Sequence, residues 1–151
     1  MIYIGIDPGK TGAMAVINDD TDEINLYNFE DGYLKVLENW EHLSSGVVCF
    51  LERVHSQPNN GIKAAFSFGE NYGYIRGLLE AFYIPYQTVP PQTWKREFSI
   101  TADKKSSIEC AQRLFPNVDL RRTERCKSAH DGKAEALLIC EYGRRHFKGG
   151  Q

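Results

Sequence analysis

The chain reads as an α/β fold, a mixed five-stranded sheet flanked by helices, and three features of its 151 residues say so. It opens with three short apolar runs separated by polar turns, as in an antiparallel meander. A later run, Val47-Val-Cys-Phe-Leu51, is apolar without a break, which suits a parallel strand covered on both faces. From Lys63 onward helical periodicity dominates, interrupted by the strand-like Pro85–Val89. Hydrophobic residues make up 42% and charged residues 25%, so the chain has the material for one core and is neither disordered nor fibrous in composition. We expect one domain over residues 1–151. No apolar stretch approaches the roughly 20 residues that span a bilayer, and no basic leader opens the chain. The expected location is the cytoplasm, with no membrane partner.

Ile2–Ile6 is the first expected strand, Pro8-Gly-Lys-Thr-Gly12 a tight turn, and Ala13–Ile17 the returning strand. The break at Asn18–Asp22 leads into a third strand, Glu23–Phe29. Asp31 is placed to cap a helix running to about Leu43, with Leu34, Leu37 and Trp40 on its inner face and Ser44-Ser-Gly46 as its stop. Val47–Leu51 follows as a buried strand, then a turn-rich loop, His55-Ser-Gln-Pro-Asn-Asn-Gly61. The next helix, Lys63 to Phe82, carries Gly69, Gly73 and Gly77 at four-residue spacing. Each glycine costs about 1 kcal/mol relative to alanine, so the row predicts close packing against another backbone, or a kink. Thr93–Phe98 reads as a short helix, Lys104–Leu114 as a longer one capped by Asp103, and Ala129–Phe147 as the last, with Ala134, Leu137 and Leu138 inward. Pro116–Ser128 is polar loop.

Cys49, Cys110, Cys126 and Cys140 show no CxxC spacing, and Cys126 with His130 lacks the second close pair of a zinc site. Reduced thiols are expected, with Cys49 buried in its strand. The net charge of −2 hides a division. Residues 1–90 hold 5 Lys+Arg against 12 Asp+Glu, whereas residues 91–151 hold 13 against 8. The basic C-terminal part is compatible with nucleic acid if the fold gathers it beside the acids.

Those acids carry the chemistry. Asp7 ends the first strand and Glu52 the buried one, at the carboxyl edge where α/β folds build sites. Asp131 and Glu135 lie four residues apart, about 40° around a helix, and so share a face. Four carboxylates meeting in one place repel one another unless cations neutralise them, which points to a divalent-metal site and phosphodiester chemistry.

Three stretches in this order resemble the RuvC family of Holliday junction resolvases within the ribonuclease-H-like superfamily. They are Ile4-Gly-Ile-Asp-Pro-Gly-Lys-Thr-Gly-Ala13, Leu51-Glu-Arg-Val54 and His130-Asp-Gly-Lys-Ala-Glu-Ala-Leu-Leu-Ile139, with Lys104-Lys-Ser-Ser-Ile108 resembling the basic helix start between them. Similarity elsewhere is loose, as in a divergent, phage-borne branch. Asp7 matches the first catalytic acid, Glu52 the second and Glu135 the last, which in the family is normally aspartate. The family's third ligand lies three residues before the last, where this chain has Gly132. Asp131, one residue earlier, is the substitute on the same helical face, and His130 is the alternative.

The resemblance implies Mg²⁺, with Mn²⁺ able to substitute, as two ions held by Asp7, Glu52, Asp131 and Glu135. It implies no nucleotide cofactor. The substrate it implies is branched DNA, a four-way junction nicked in pairs by a homodimer, with the glycine-striped helix around Tyr72–Phe82 as the candidate interface. Lys95 and Lys105 fall where family lysines contact phosphate, and Lys104 is adjacent. His55 falls where the family often has an aromatic residue at the junction centre, with Phe66 and Phe68 as neighbouring candidates for base stacking. Arg121, Arg122 and Arg125 form a basic loop suited to backbone contact. The opening Asp-x-Gly-x-Thr also resembles the phosphate loop of actin-like ATPases and sugar kinases, but that fold needs two lobes and a second glycine-rich loop. A related nuclease acting on flaps, forks or RNA–DNA hybrids, and a junction-binding module without catalysis, both stay open, since the acids define chemistry rather than substrate.

Overall fold

The computed structural model describes residues 1–38, 46–54 and 61–147. Its sheet has five strands: β1 (Ile2–Asp7), β2 (Ala13–Asn18), β3 (Glu23–Asn28), β4 (Val47–Glu52) and β5 (Tyr86–Val89). They lie in the order β3-β2-β1-β4-β5. The first three form the expected antiparallel meander, and β4 pairs parallel with β1 and with β5. All six residues of β4 are buried, as its unbroken apolar run requires.

The helices are α1 (Tyr33–Glu38), α2 (Ile62–Ala81), α3 (Pro91–Glu97), α4 (Lys104–Leu114) and α5 (Asp131–His146). Alternation along the strands splits the core into two apolar layers. One joins Tyr3, Phe50, Trp94 and Leu137 beneath α3, α4 and α5. The other joins Ile4, Ile6, Val16, Leu51, Ile75 and Leu79 beneath α1 and α2. Leu137 and Leu138 are fully buried, each worth about 1.5–3 kcal/mol of apolar burial. Helix α5 approaches β1 so closely that a Cβ on Gly5 would stand 2.4 Å from the Ala136 carbonyl oxygen and the Cys140 amide nitrogen. Only glycine fits there, and this contact fixes the middle of α5 against β1.

Several expectations change. Asp31 does not cap the first helix: its Oδ2 accepts from the Asn28 amide and side chain at 2.7 and 3.1 Å, within a 3-10 turn at Phe29–Asp31. Gly32, at φ 80°, then reorients the chain, so that Tyr33, Val36 and Leu37 face inward and Leu34 is 43% exposed. Trp40 and the expected end of that helix at Leu43 and Ser44 lie outside the described residues. The glycine row of α2 meets no backbone: nothing described comes within 4 Å of a Cβ built on Gly69, Gly73 or Gly77. Ala129 is not helical but bridges to Arg121, and α5 begins at Asp131. Asp103 caps α4 as expected, accepting from the Lys105 amide at 3.0 Å. Cys49, Cys110 and Cys140 are buried free thiols. No helix among the described residues is long and apolar enough to cross a membrane.

Candidate active site

The register of β1 and β4 brings the first two acids together. Ile6 pairs with Leu51, and the next step along each parallel strand is Asp7 and Glu52. Both therefore stand at the carboxyl edge on the α5 side. The Pro8–Gly12 turn shapes what surrounds Asp7. The Gly9 amide donates to Asp7 Oδ1 at 3.1 Å, and the Gly12 amide donates to the Gly9 carbonyl at 2.8 Å. A Cβ on Gly12 would lie 2.0 Å from the Asp7 carbonyl oxygen, so the turn requires glycine there.

Burial pushes the Asp7 carboxyl up to about 6; the Gly9 amide opposes this, and the charges of Glu135 and Asp131 add to it. Burial likewise pushes Glu52 up to about 7, with Asp7 and Glu135 adding to it. Trp94 of α3 donates its indole N–H to Glu52 Oε1 at 3.1 Å, partly offsetting that rise.

The remaining two acids enter from the first turns of α5. Asp131 Oδ2 is held at 2.5 Å by Lys104 Nζ. Burial alone would raise the Asp131 carboxyl, but the hydrogen bond and charge of Lys104 outweigh it and leave it below the ordinary aspartate value. Glu135 Oε1 accepts from Ser107 Oγ at 3.1 Å and faces Lys95 Nζ at 3.4 Å. Asp7, Asp131 and Glu135 share the wall of a cavity of about 630 Å³ with Thr11, Gly132, Lys95, Arg96 and Lys104. The fold thus gathers part of the basic C-terminal segment around the acids, as the charge division along the chain anticipated. Among the described residues, no three His, Cys, Asp or Glu side chains stand close enough to hold a cation between them.

Gly132, where the resembling family would place its third acid, has no room for a side chain. A Cβ there would lie 2.4 Å from the Thr11 carbonyl oxygen, so the β1–β2 turn occupies the space that a side chain would need. Asp131 faces the cavity; His130 does not line it. The His130 Nδ1 is buried without a hydrogen-bond partner among the described residues, and burial lowers its pKa.

The expected DNA contacts divide. Lys95 and Lys104 line the cavity, and Lys105 is exposed beside them at the start of α4. Phe66 is 68% exposed on α2, and Phe68 borders a separate hollow with Lys10, Lys63 and Asn71; neither touches the acidic cavity. Arg121 is tied to Asp119 at 2.7 Å and to the Glu124 carbonyl at 3.0 Å. Arg122 pairs with Glu30. Both line a different cavity of about 460 Å³ with Asn28 and the buried Lys133. Arg125 is exposed in the same loop, and His55 lies outside the described residues. Sequence reasoning missed Trp94 and Ser107. The available signal for Trp94 is that a buried indole N–H needs an acceptor; nothing in the sequence names which one.

The meander, the parallel β1-β4-β5 half and the helix packed across the strand ends define a ribonuclease-H-like fold. No family model matches the sequence, and no curated protein sequence does. Solved structures do resemble it. A Thermus thermophilus RuvC in complex with a Holliday junction substrate matches with TM-score 0.62 at 16% identity, over 96% of both chains. A second structure of Thermus thermophilus RuvC gives 0.60 at 17% identity, over 96% of both. The fowlpox virus Holliday junction resolvase gives 0.55 at 13% identity, over 97% of this chain and 100% of that one. The chain therefore has a RuvC-like fold.

Proposed function

We propose that this protein is a metal-dependent endonuclease that resolves four-way DNA junctions by paired nicks. One observation carries the reading. Two neighbouring strand-end carboxylates, the partly buried Asp7 and the buried Glu52, are pushed to about 6 and 7 in a fold whose solved likenesses include a RuvC in complex with a Holliday junction substrate. Leaving such a pair charged inside a protein is unfavourable, and hard cations bound through oxygen relieve it. Asp7, Glu52, Asp131 and Glu135 offer only carboxylate oxygen, the donor type that suits Mg²⁺ or Mn²⁺ over softer metals. Since no three of them stand close enough in this structure to hold an ion between them, binding requires the acids to draw together. Two such ions at these residues would supply an activated water and stabilise the leaving oxygen.

The chain's own residues do the rest of the work. Gly9 and Trp94 orient the Asp7 and Glu52 carboxylates through their N–H groups. Lys95, Arg96 and Lys104 give the cavity the positive wall that a phosphate needs. A junction with two-fold symmetry calls for two such sites, which a homodimer provides. Helix α2 supports that assembly, since Ile62 and Phe66 are 89% and 68% exposed and its glycine row is open to a close neighbour.

A second reading has its own support. Lysines already hold two of the acids, Asp131 and Glu135, an arrangement that also suits a module which binds junctions without cutting them. Cleavage of a labelled four-way junction in Mg²⁺ or Mn²⁺ decides between them, with Asp7→Asn alongside and linear duplex, flap, fork and RNA–DNA hybrid as competitors. Paired nicks on the junction that vanish in the variant support the resolvase. Cutting of hybrid or flap instead keeps the acids and discards the junction, and binding without nicking supports the module.

A further inference from the structure

We propose that Lys95 and Lys104 compete with divalent cations for Glu135 and Asp131, and that a cation displacing them turns the same two ammonium groups toward DNA phosphate. The inference rests on the metal-dependent reading above and adds a coupling to it: cation loading and DNA-backbone binding become linked through two side chains.

The geometry is specific. Lys104 Nζ lies 2.5 Å from Asp131 Oδ2, and Lys95 Nζ lies 3.4 Å from Glu135 Oε1. The lysines come from α3 and α4 and the acids from α5, so neither contact is a pairing along one helix. Lys104 and Lys105 are the first two residues of α4, where the helix dipole disfavours a cation. Two positive charges at that position are out of place for the helix and well placed for an anion. The Lys104 side chain is 78% exposed, free to swing on its four-carbon stem once Asp131 is taken. The Lys95 ammonium, where it faces Glu135, also lies 5.1 Å from the centre of the Trp94 ring, a contact that does not depend on the acid.

A divalent cation carries twice the charge of an ammonium and takes carboxylate oxygen at about 2.0–2.6 Å. Once it holds Asp131 and Glu135, each lysine faces a like charge in place of its partner. The mouth of the same cavity is then its most favourable position, and DNA phosphate is the anion that meets it there. Linkage is reciprocal, so a cation that strengthens DNA binding is itself bound more tightly when DNA is present.

Calorimetric titration with Ca²⁺ tests the competition without turnover, using the unsubstituted protein, Lys95→Met/Lys104→Met and Asp7→Asn. The double variant should bind Ca²⁺ tighter by about threefold or more, in the range of released exposed ion pairs, while Asp7→Asn weakens it. A labelled junction followed by anisotropy across a salt series tests the transfer. In Ca²⁺ the unsubstituted protein should show a log K against log[salt] slope steeper by about two than in chelator, one unit per lysine; the double variant should show no such change. Ca²⁺ affinity that is unchanged or weaker in the double variant, with Asp7→Asn still impaired, overturns the competition and leaves the metal site standing. Absence of Ca²⁺ binding by the unsubstituted protein overturns the metal reading and this coupling with it.

Discussion

The Trp94 indole donates to Glu52 Oε1 at 3.1 Å with both side chains buried, tying α3 to the end of β4 through one hydrogen bond inside the core. That bond does two jobs. It satisfies an indole N–H that has no access to water, and it fixes the rotamer of a carboxylate that burial pushes toward neutrality. Trp94→Phe keeps an aromatic ring and removes the donor. We expect a loss of about 1–3 kcal/mol in stability and a further rise of the Glu52 pKa. The acid limb of any metal-dependent nicking activity would then move to higher pH. Urea denaturation and a pH–rate profile measure the two effects, and an unmoved profile would take Glu52 out of the reaction.

The raised carboxylates make stability depend on pH in an unusual direction. Asp7 titrates near 6 in the fold against 3.8 in the open chain, and Glu52 near 7 against 4.5. The folded state therefore holds more protons than the unfolded state between about pH 4 and pH 7, so stability falls as pH rises through that window. At 1.36 kcal/mol per unit the penalty is on the order of 3 kcal/mol for either group, fully present above pH 7 and absent below pH 4. Asp7→Asn keeps an acceptor for the Gly9 amide and removes the charge. Its melting temperature should exceed that of the parent by several degrees at pH 8 in chelator and match it near pH 4. A variant equally or less stable at pH 8 would mean that Asp7 is not the strained group described here.

Gly132 permits a sharper substitution test. With the Thr11 carbonyl oxygen 2.4 Å from where its Cβ would stand, even Gly132→Ala must push the β1–β2 turn or α5 aside. The expected cost is in the overpacking range, about 1–3 kcal/mol. Moving the acid to the position it holds in the resembling family, as Asp131→Gly/Gly132→Asp, should consequently fail to restore function to Asp131→Asn. A double variant that folds and cuts like the parent would show that the turn gives way easily.

The architecture was largely legible in the sequence because its signals are local. The unbroken apolar Val47–Leu51 run, the polar breaks of the meander and the Asp103 cap each reflect the chemistry of a few neighbours. The acids were legible for the same reason, since strand ends and a four-residue helical spacing can be read directly. What escaped depends on contacts between distant segments. Periodicity points Leu34 inward, yet the positive φ of Gly32 sets the phase of that helix and leaves Leu34 exposed. The glycine row of α2 predicts close approach of another backbone, and none of the described residues of this chain supplies it. The partners of Glu52, Asp131 and Glu135 (Trp94, Lys104, Lys95 and Ser107) come from segments 27 to 42 residues away, and no pattern within one element encodes them. The Arg121 and Arg122 side chains likewise pair with Asp119 and Glu30, partners that the basic stretch by itself does not name.

That division among the cations yields the last prediction. Lys105 is exposed at the start of α4, whereas Arg121 is engaged by Asp119 and the Glu124 carbonyl. If DNA lies across the acidic cavity, Lys105→Ala should weaken binding uniformly across sequences and flatten the salt dependence by about one unit of slope. Arg121→Ala should leave that slope unchanged. It should instead loosen the 116–130 loop, where the guanidinium holds Asp119 at 2.7 Å and the Glu124 carbonyl at 3.0 Å, while the backbone bridge to Ala129 is kept. Hydrogen exchange would show that loosening as faster amide exchange around His130, whose N–H donates to the Leu120 carbonyl at 2.8 Å. The pair of substitutions locates the DNA path: a slope change at Arg121 equal to that at Lys105 would place the backbone over the loop as well, and a change at Arg121 alone would move the DNA off the acidic cavity altogether.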